Sequence, residues 1–153
     1  MPVQKLQADM SDPTLTVLPG DADLEPAFDV RRDVFVDEQG VDEAIEIDGK
    51  DPDATHVLAE VDGVPVATAR LRVIDDGVGK VERVAVRASH RESGVGRRVM
   101  HRIDQLAIEN GLDRLELHSQ TRVEGFYQRL GYETVSGEFD EAGIPHVEMR
   151  KEL

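Results

Sequence analysis

The sequence predicts one α/β domain on a single mixed sheet, and three observations carry that prediction. Short alternating strand-like runs and longer runs of helical period follow one another along the 153 residues. Two strand runs meet across Asp62-Gly63, a strong hairpin signal. A further strand run, residues 80–86, leads through a glycine-rich turn into a helical run over residues 97–110.

Each element has its own local reason. Residues 1–12 lack periodicity and are read as a loose tail ahead of a domain over 13–153. Thr14-Leu15-Thr16-Val17-Leu18 alternates as a first strand, ended by Pro19-Gly20. Over residues 25–39 the pattern is helical, with Ala27, Val30 and Val34 on one face and Phe28 and Phe35 beside them. Residues 48–53, with Gly49 and Pro52, are a loop. Residues 56–61 and 64–73 form the hairpin, and Asp75-Asp76-Gly77 breaks the chain before the fourth strand. Val99, Ile103, Leu106 and Asn110 recur at helical spacing, and Gly111 ends that helix. Residues 114–117 are a fifth strand. Thr121-x-x-Glu124 reads as a capping box opening a short helix with Val123, Phe126, Tyr127 and Leu130. Strands near 133–135 and 146–150 finish a sheet of six to seven strands, without repeat or linker.

Composition excludes several classes. No stretch of 18 apolar residues and no charged-then-apolar leader occur, so a soluble, cytoplasmic protein with no membrane partner is expected. The absence of cysteine excludes a disulfide framework, thiolate metal sites and a cysteine nucleophile. His56, His90 and His101 have no spacing that suggests a metal site. With 32 acidic against 18 basic residues and a net charge of -14, a general nucleic-acid binder is not expected. Such an acid-rich, lysine-poor surface suits a high-salt cytoplasm, where screening acts over ~3 Å at 1 M salt. An ordinary acidic protein is the alternative.

Against this background residues 83–102 are basic: Arg83, Arg87, Arg91, Arg97, Arg98 and Arg102 face one acid, Glu92. Within the island Arg91-Glu92-Ser93-Gly94-Val95-Gly96 separates a strand from a helix start. Converging turn N–H groups and the positive end of the helix dipole make an anion cradle, which points to a multiply phosphorylated ligand. No Gly-Lys-Ser/Thr follows, as a Walker A loop requires. Val99 stands where a dinucleotide fingerprint needs its third glycine. Arg98 and Arg102, one helical turn apart, serve the cradle or decorate a solvated face.

The remaining pattern, Arg91-x-x-Gly94-x-Gly96, resembles the pyrophosphate loop of the GNAT superfamily of N-acetyltransferases. Val84-x-Val86 stands at that superfamily's Leu-x-Val strand end, and Phe126-Tyr127-x-x-Leu130-Gly131-Tyr132 resembles its second signature. Gly143-Ile144-Pro145-His146 and Val34-Phe35-Val36-x-Glu38-Gln39-Gly40 resemble the ElaA-like and YjcF-like branch. The resemblance spans roughly residues 14–153 and implies the GNAT fold, a central, mostly antiparallel mixed sheet flanked by helices. It also implies transfer from acetyl-CoA, the cosubstrate, to a primary amine through a ternary complex, without a metal. A non-catalytic acyl-CoA sensor and a nucleotide-binding regulatory module are the alternatives. Dimers are common in the superfamily, so a homodimer is possible.

The roles follow from the resemblance. Gly94 and Gly96 let the backbone approach the pyrophosphate, Arg91 and Arg97 add charge-assisted contacts, and Ser93 and Val95 complete the loop. Glu92 departs from relatives that carry glycine or a base there. The edge at Val84, Ala85 and Val86 pairs with the pantetheine arm, and an N–H of Val86 or a neighbour polarises the thioester carbonyl. Tyr127 is read as the general acid for the departing thiolate, or as a core aromatic. Glu82, sharing a strand face with Val84 and Val86 by alternation, is a candidate base or an ion-pair partner. His146, in a loop after Pro145, is a base or acceptor contact, or a strand-end histidine. Glu38 and Gln39 line the acceptor side or cap the first helix. His118 stands at the fifth strand's exit, where relatives often have asparagine; Ser119 and Gln120 remain possible polar contacts there.

Overall fold

A computed structural model describes residues 12–153; the tail expected over residues 1–12 lies, except for Asp12, outside them. Eight strands form one sheet: β1 Thr14–Pro19, β2 Thr55–Val61, β3 Val64–Asp75, β4 Val78–Val86, β5 Arg114–Gln120, β6 Glu133–Thr134, β7 Phe139–Glu141 and β8 Ile144–Glu152. Their order is β1-β2-β3-β4-β5-β8-β6, with β7 also on β8. Only β4 and β5 run parallel; the other ladders are antiparallel. Among the described residues four α-helices accompany the sheet: α1 Glu25–Arg31, α2 Glu43–Glu46, α3 Val95–Glu109 and α4 Glu124–Arg129.

The hairpin turn Asp62-Gly63 has φ of 52° and 80°, the left-handed pair that a tight hairpin needs. On α3 the residues Val99, Ile103, Leu106 and Ala107 are buried in the main core with Leu71, Val81, Leu115 and Met149. Across the sheet, Val30 of α1 and Val34 bury Ala85 of β4 in a second, smaller cluster. Among the described residues no helix is long and apolar enough to cross a membrane.

Four expectations change. The first helix does not stay α-helical: after Arg31 it widens to a π-helix over Arg32–Glu38, closed by Gln39 N–H donating to the Val34 carbonyl at 3.1 Å. The expected loop at 48–53 holds a 3-10 turn, Asp51–Asp53, preceded by the unexpected α2, capped by Asp42. The capping box at Thr121 does not form: Thr121–Val123 is a 3-10 turn, and the Glu124 carboxylate accepts from Thr134 Oγ1 instead. Finally, β7 was not foreseen, and it turns into β8 across Ala142-Gly143, with φ of 53° and 77°.

Candidate functional site

The parallel pair is the source of the site. β4 and β5 are in register from Val78↔Arg114 to Val81↔Leu117, and then they part. Residues 84–86 of β4 and Ser119-Gln120 of β5 therefore flank a gap, and a cleft of about 880 Å³ passes through it. One end is lined by Gly94, Gly96 and Arg97, the other by His118, Glu141 and His146.

A bulge sets which side chains face where. Between Arg70↔Glu82 and Thr68↔Ala85, β3 runs one residue, Ala69, while β4 runs two, Arg83 and Val84. Arg83 takes φ of 56° to allow it. Alternation is broken there, so Val84 and Val86 pack against the main core with Val81, whereas Ala85 joins the cluster under α1. Glu82 consequently does not share a face with Val84 and Val86. It pairs with Arg70 at 2.8 Å and Arg72 at 2.6 Å. Burial by itself would raise its pKa, yet the hydrogen bond from Arg72 and the charge of Arg70 outweigh it and hold Glu82 at about 2. A carboxylate so held is a poor proton acceptor, and the expectation of a free base at Glu82 is corrected to an ion-pair partner.

The glycine turn has two separate requirements. Gly94 has φ of 88° with open space where a Cβ would stand, so its conformation demands glycine. At Gly96 a Cβ would lie 3.3 Å from Val86 Cγ2 and 3.5 Å from Phe126 Cζ, so close packing favours glycine there. Arg98 N–H is the first to find an intrahelical acceptor, the Gly94 carbonyl at 3.2 Å; the N–H groups of Gly96 and Arg97 precede it and are free for an anion. Val95 is buried and contributes backbone alone, while the Ser93 hydroxyl donates to the His90 carbonyl at 2.5 Å. Glu92 is exposed with φ of 68°, a conformation that favours glycine.

The arginines divide. Arg97 is exposed on the first turn of α3 and has no acidic partner among the described residues. Arg91 is committed: its Nε donates to the Val86 carbonyl at 2.9 Å, and its two Nη groups reach the Glu38 carboxylate at 2.5 and 2.6 Å. Glu38 is thereby tied to the phosphate loop rather than standing apart on the acceptor side, and this hydrogen bond lowers its pKa despite some desolvation. Gln39 accepts from Gln120 Nε2 at 2.9 Å, bridging the end of the π-helix to the end of β5. Arg98 reaches Asp12 at 3.5 Å and Arg102 reaches Glu109 at 3.5 Å, both away from the cleft lining.

Tyr127 lines the cleft yet is 7% exposed, set edge-on between Phe126 and Tyr132. Burial pushes its phenol pKa up, so it stays protonated. His146 is buried too, on strand β8 rather than in a loop. His118 is not at the strand exit, because β5 continues to Gln120. Glu141, which no sequence motif singles out, accepts from His118 Nδ1 at 2.7 Å. A local signal existed in the Ala142-Gly143 turn, which fixes β7 and hence the position of Glu141.

Against the cleft, which Glu46, Asp48, Glu82 and Arg83 help to line, runs a charge network that periodicity does not reveal. Arg31 binds Glu46 at 3.0 Å and Asp51 at 2.7 Å; Arg70 binds Asp48 at 2.9 Å and Asp51 at 3.0 Å; Arg83 binds Glu46 at 2.8 Å. Among the described residues no group of three or more His, Cys, Asp or Glu is arranged to hold a metal ion.

These features match known proteins. A family model described as an acetyltransferase (GNAT) domain matches residues 21–153. The uncharacterized N-acetyltransferase YjcF of Bacillus subtilis is 40% identical over 130 residues, covering 84% of this chain and 92% of that protein. The crystal structure of Escherichia coli ElaA superposes with a TM-score of 0.83 at 27% identity, covering 92% of this chain and 99% of that one. That of an acyl-CoA N-acyltransferase from Pseudomonas aeruginosa does so with a TM-score of 0.81 at 31% identity, covering 90% and 99%. The split parallel pair, the glycine turn and these likenesses agree: the chain belongs to the GNAT acetyltransferase family and is an acyltransferase.

Proposed function

We propose that this enzyme is an acetyl-CoA-dependent N-acetyltransferase that transfers the acetyl group directly to a primary amine within a ternary complex. The observation that carries this reading is the gap beyond Val81↔Leu117, with a phosphate-type loop at one end and titratable side chains at the other. The residues present fit coenzyme A. The N–H groups of Gly96 and Arg97 and the Arg97 guanidinium would hold the pyrophosphate. The edge of β4 at residues 84–86, which has lost its β5 partner, would take the pantetheine arm as an added strand.

When bound, the cosubstrate supplies an activated acetyl thioester. The chain's own work is to orient it, polarise its carbonyl through a β4 N–H, and move protons. Tyr127, neutral at working pH, gives a proton to the departing thiolate. His146 serves the amine, and no metal is needed for either step. The name of the related acyl-CoA N-acyltransferase from Pseudomonas supports this reading, under which the reaction is a cytoplasmic one.

The test is release of CoA thiol from acetyl-CoA by the purified protein with a panel of primary amines, beside calorimetric titration with CoA. Amine-dependent release supports transfer. CoA binding without release for any amine would instead make this a non-catalytic acyl-CoA-binding domain, and effective competition by ATP or GTP would make it a nucleotide module.

A further inference from the structure

Three side chains from three strands meet at the acceptor end of the cleft. Glu141, the last residue of β7, accepts from His118 Nδ1 of β5 through Oε1 at 2.7 Å. Its other oxygen, Oε2, stands 3.9 Å from His146 Nε2 of β8. Phe139 braces both imidazoles: its ring is stacked on His146 at 6.2 Å between centroids and edge-on to His118 at 5.1 Å.

The tautomer of His146 follows from its neighbour. Nδ1 is 2.7 Å from the Ile144 carbonyl oxygen. A carbonyl only accepts, so Nδ1 carries the hydrogen, and Nε2 of the neutral ring presents a lone pair. Glu141 Oε2 and His146 Nε2 are therefore both acceptors, and at 3.9 Å they do not bond to each other. Two acceptors at this spacing suit one donor: an ammonium nitrogen about 2.8 Å from each can bridge them with two of its N–H bonds.

We propose that Glu141 Oε2 and His146 Nε2 form the seat for the ammonium group of the acceptor, so that the enzyme takes its amine as a cation and deprotonates it in place. The proposal rests on the acetyl-transfer reading above. In the step, one N–H bond of the ammonium breaks and an Nε2–H bond forms on His146. The amine keeps the electron pair that attacks the acyl carbon. As the C–S bond of the adduct breaks, its nitrogen gives up a second proton, which replaces the one Tyr127 hands to the thiolate. The imidazolium, beside the Glu141 carboxylate, returns its proton to solvent after the product leaves. His118 touches neither reactant; it is a positioning residue that holds Glu141 by the other oxygen.

The charged and titratable groups around His146 are Glu141 of β7, His118 of β5 and, lining the same cleft, Lys80 of β4; its register partner on β5 is Gln120. The hydrogen bond from His118 lowers the pKa of Glu141 against partial desolvation, and the charges of His118, His146 and Lys80 act in the same direction. The carboxylate is thus ionised wherever the enzyme works, as an ammonium seat requires.

The test uses the whole protein and two readouts. With the best amine from the thiol-release panel, kcat/KM is measured against pH for the wild type, Glu141→Gln and His118→Gln. Glu141→Gln removes a negative charge 3.9 Å from His146 Nε2, so it should move the acidic limb of kcat/KM to lower pH. It should also raise the amine KM at least tenfold and leave CoA affinity within about twofold. His118→Gln should raise KM less, and Glu141→Asp should restore part of the loss. In parallel, NMR of the protein with 15N-labelled histidine, without substrates, should show the Nδ1–H tautomer for His146. An amine KM and an acidic limb both unmoved in a folded, active Glu141→Gln protein overturn the seat. A wild type that binds CoA but releases no thiol with any amine of the panel removes the acetyl-transfer reading itself, and the seat with it.

Discussion

Arg91 and Glu38, fifty-three residues apart, are joined by two hydrogen bonds of 2.5 and 2.6 Å that tie the phosphate loop to the end of the π-helix. The fork occupies the arginine that the family pattern offers to phosphate, so anion binding and Glu38 compete for one guanidinium. Both side chains are partly exposed, and the pair is worth on the order of 1 kcal/mol or less. Glu38→Gln should therefore tighten CoA binding by up to about fivefold, and Arg91→Ala should cancel that gain in the double variant. Calorimetric titration of the four proteins with CoA at one fixed salt concentration measures it. Equal affinity for wild type and Glu38→Gln would mean that phosphate does not call on Arg91.

Glu92 and Gly96 make opposite predictions from the same loop. Glu92 is an exposed acid held at φ of 68° on the rim of the cleft. Glu92→Gly relieves that backbone and removes a negative charge, so CoA should bind more tightly, with the gain shrinking as salt rises. Gly96→Val puts new atoms against Val86 Cγ2, already 3.3 Å from the first of them, and Phe126. CoA affinity should fall at least tenfold, or about 1.4 kcal/mol, while the fold survives. Titrations at low and high salt, with thermal melts in parallel, test both; unchanged affinity in folded Gly96→Val would take the loop out of the site.

The buried network against the cleft should dominate acid sensitivity. Glu82 is held at about 2, below its ordinary 4.5, by Arg72 and Arg70 against the cost of burial, and Asp48 is lowered in the same way. A carboxylate with a depressed folded pKa contributes stability that is present above its unfolded pKa and lost as pH falls toward the folded one. Stability should thus decline between about pH 4.5 and 2, and for Glu82 that contribution is on the order of 3 kcal/mol. Glu82→Gln should flatten the decline in urea-unfolding midpoints across that window. Arg70→Met, which leaves Asp48, Asp51 and Glu82 facing a lost cation, should cost roughly 3–5 kcal/mol. A wild-type midpoint that does not change from pH 5 to pH 3 would contradict the assignment.

What the sequence disclosed was local, and what it hid was long-range. Asp62-Gly63 and the Val99-Ile103-Leu106 spacing are short-range rules, and the hairpin and α3 follow them. The glycine turn was legible because backbone conformation and helix start lie within a few residues. The bulge at Arg83 was not, since strict alternation put Glu82 beside Val84, and only pairing with β3 shows the slip. Arg31, Glu46, Asp51 and Arg70 carry no local mark of burial, because burial of ions depends on partners up to twenty residues away. Glu141 escaped for the same reason, its partner His118 lying twenty-three residues back on another strand.

Tyr127 supplies the last prediction. Its ring is fixed edge-on at 5.0 Å from Phe126 and 5.9 Å from Tyr132, so packing holds the side chain whether or not the hydroxyl acts. Desolvation raises the phenol pKa, which keeps the proton in place across the working range and leaves it available to a thiolate as that thiolate departs. Tyr127→Phe removes one oxygen and keeps the ring, so melting temperature and CoA affinity should barely change. Turnover should fall by roughly 10- to 1,000-fold, toward the lower figure where solvent protonates the thiolate or an earlier step limits the rate. The decisive measurement is kcat of both proteins from pH 6 to 10 with acetyl-CoA and the best amine. A hydroxyl that acts as an acid gives a deficit that persists through neutral pH. Equal kcat throughout, with chemistry shown to be rate-limiting, would leave Tyr127 as a packing residue between Phe126 and Tyr132.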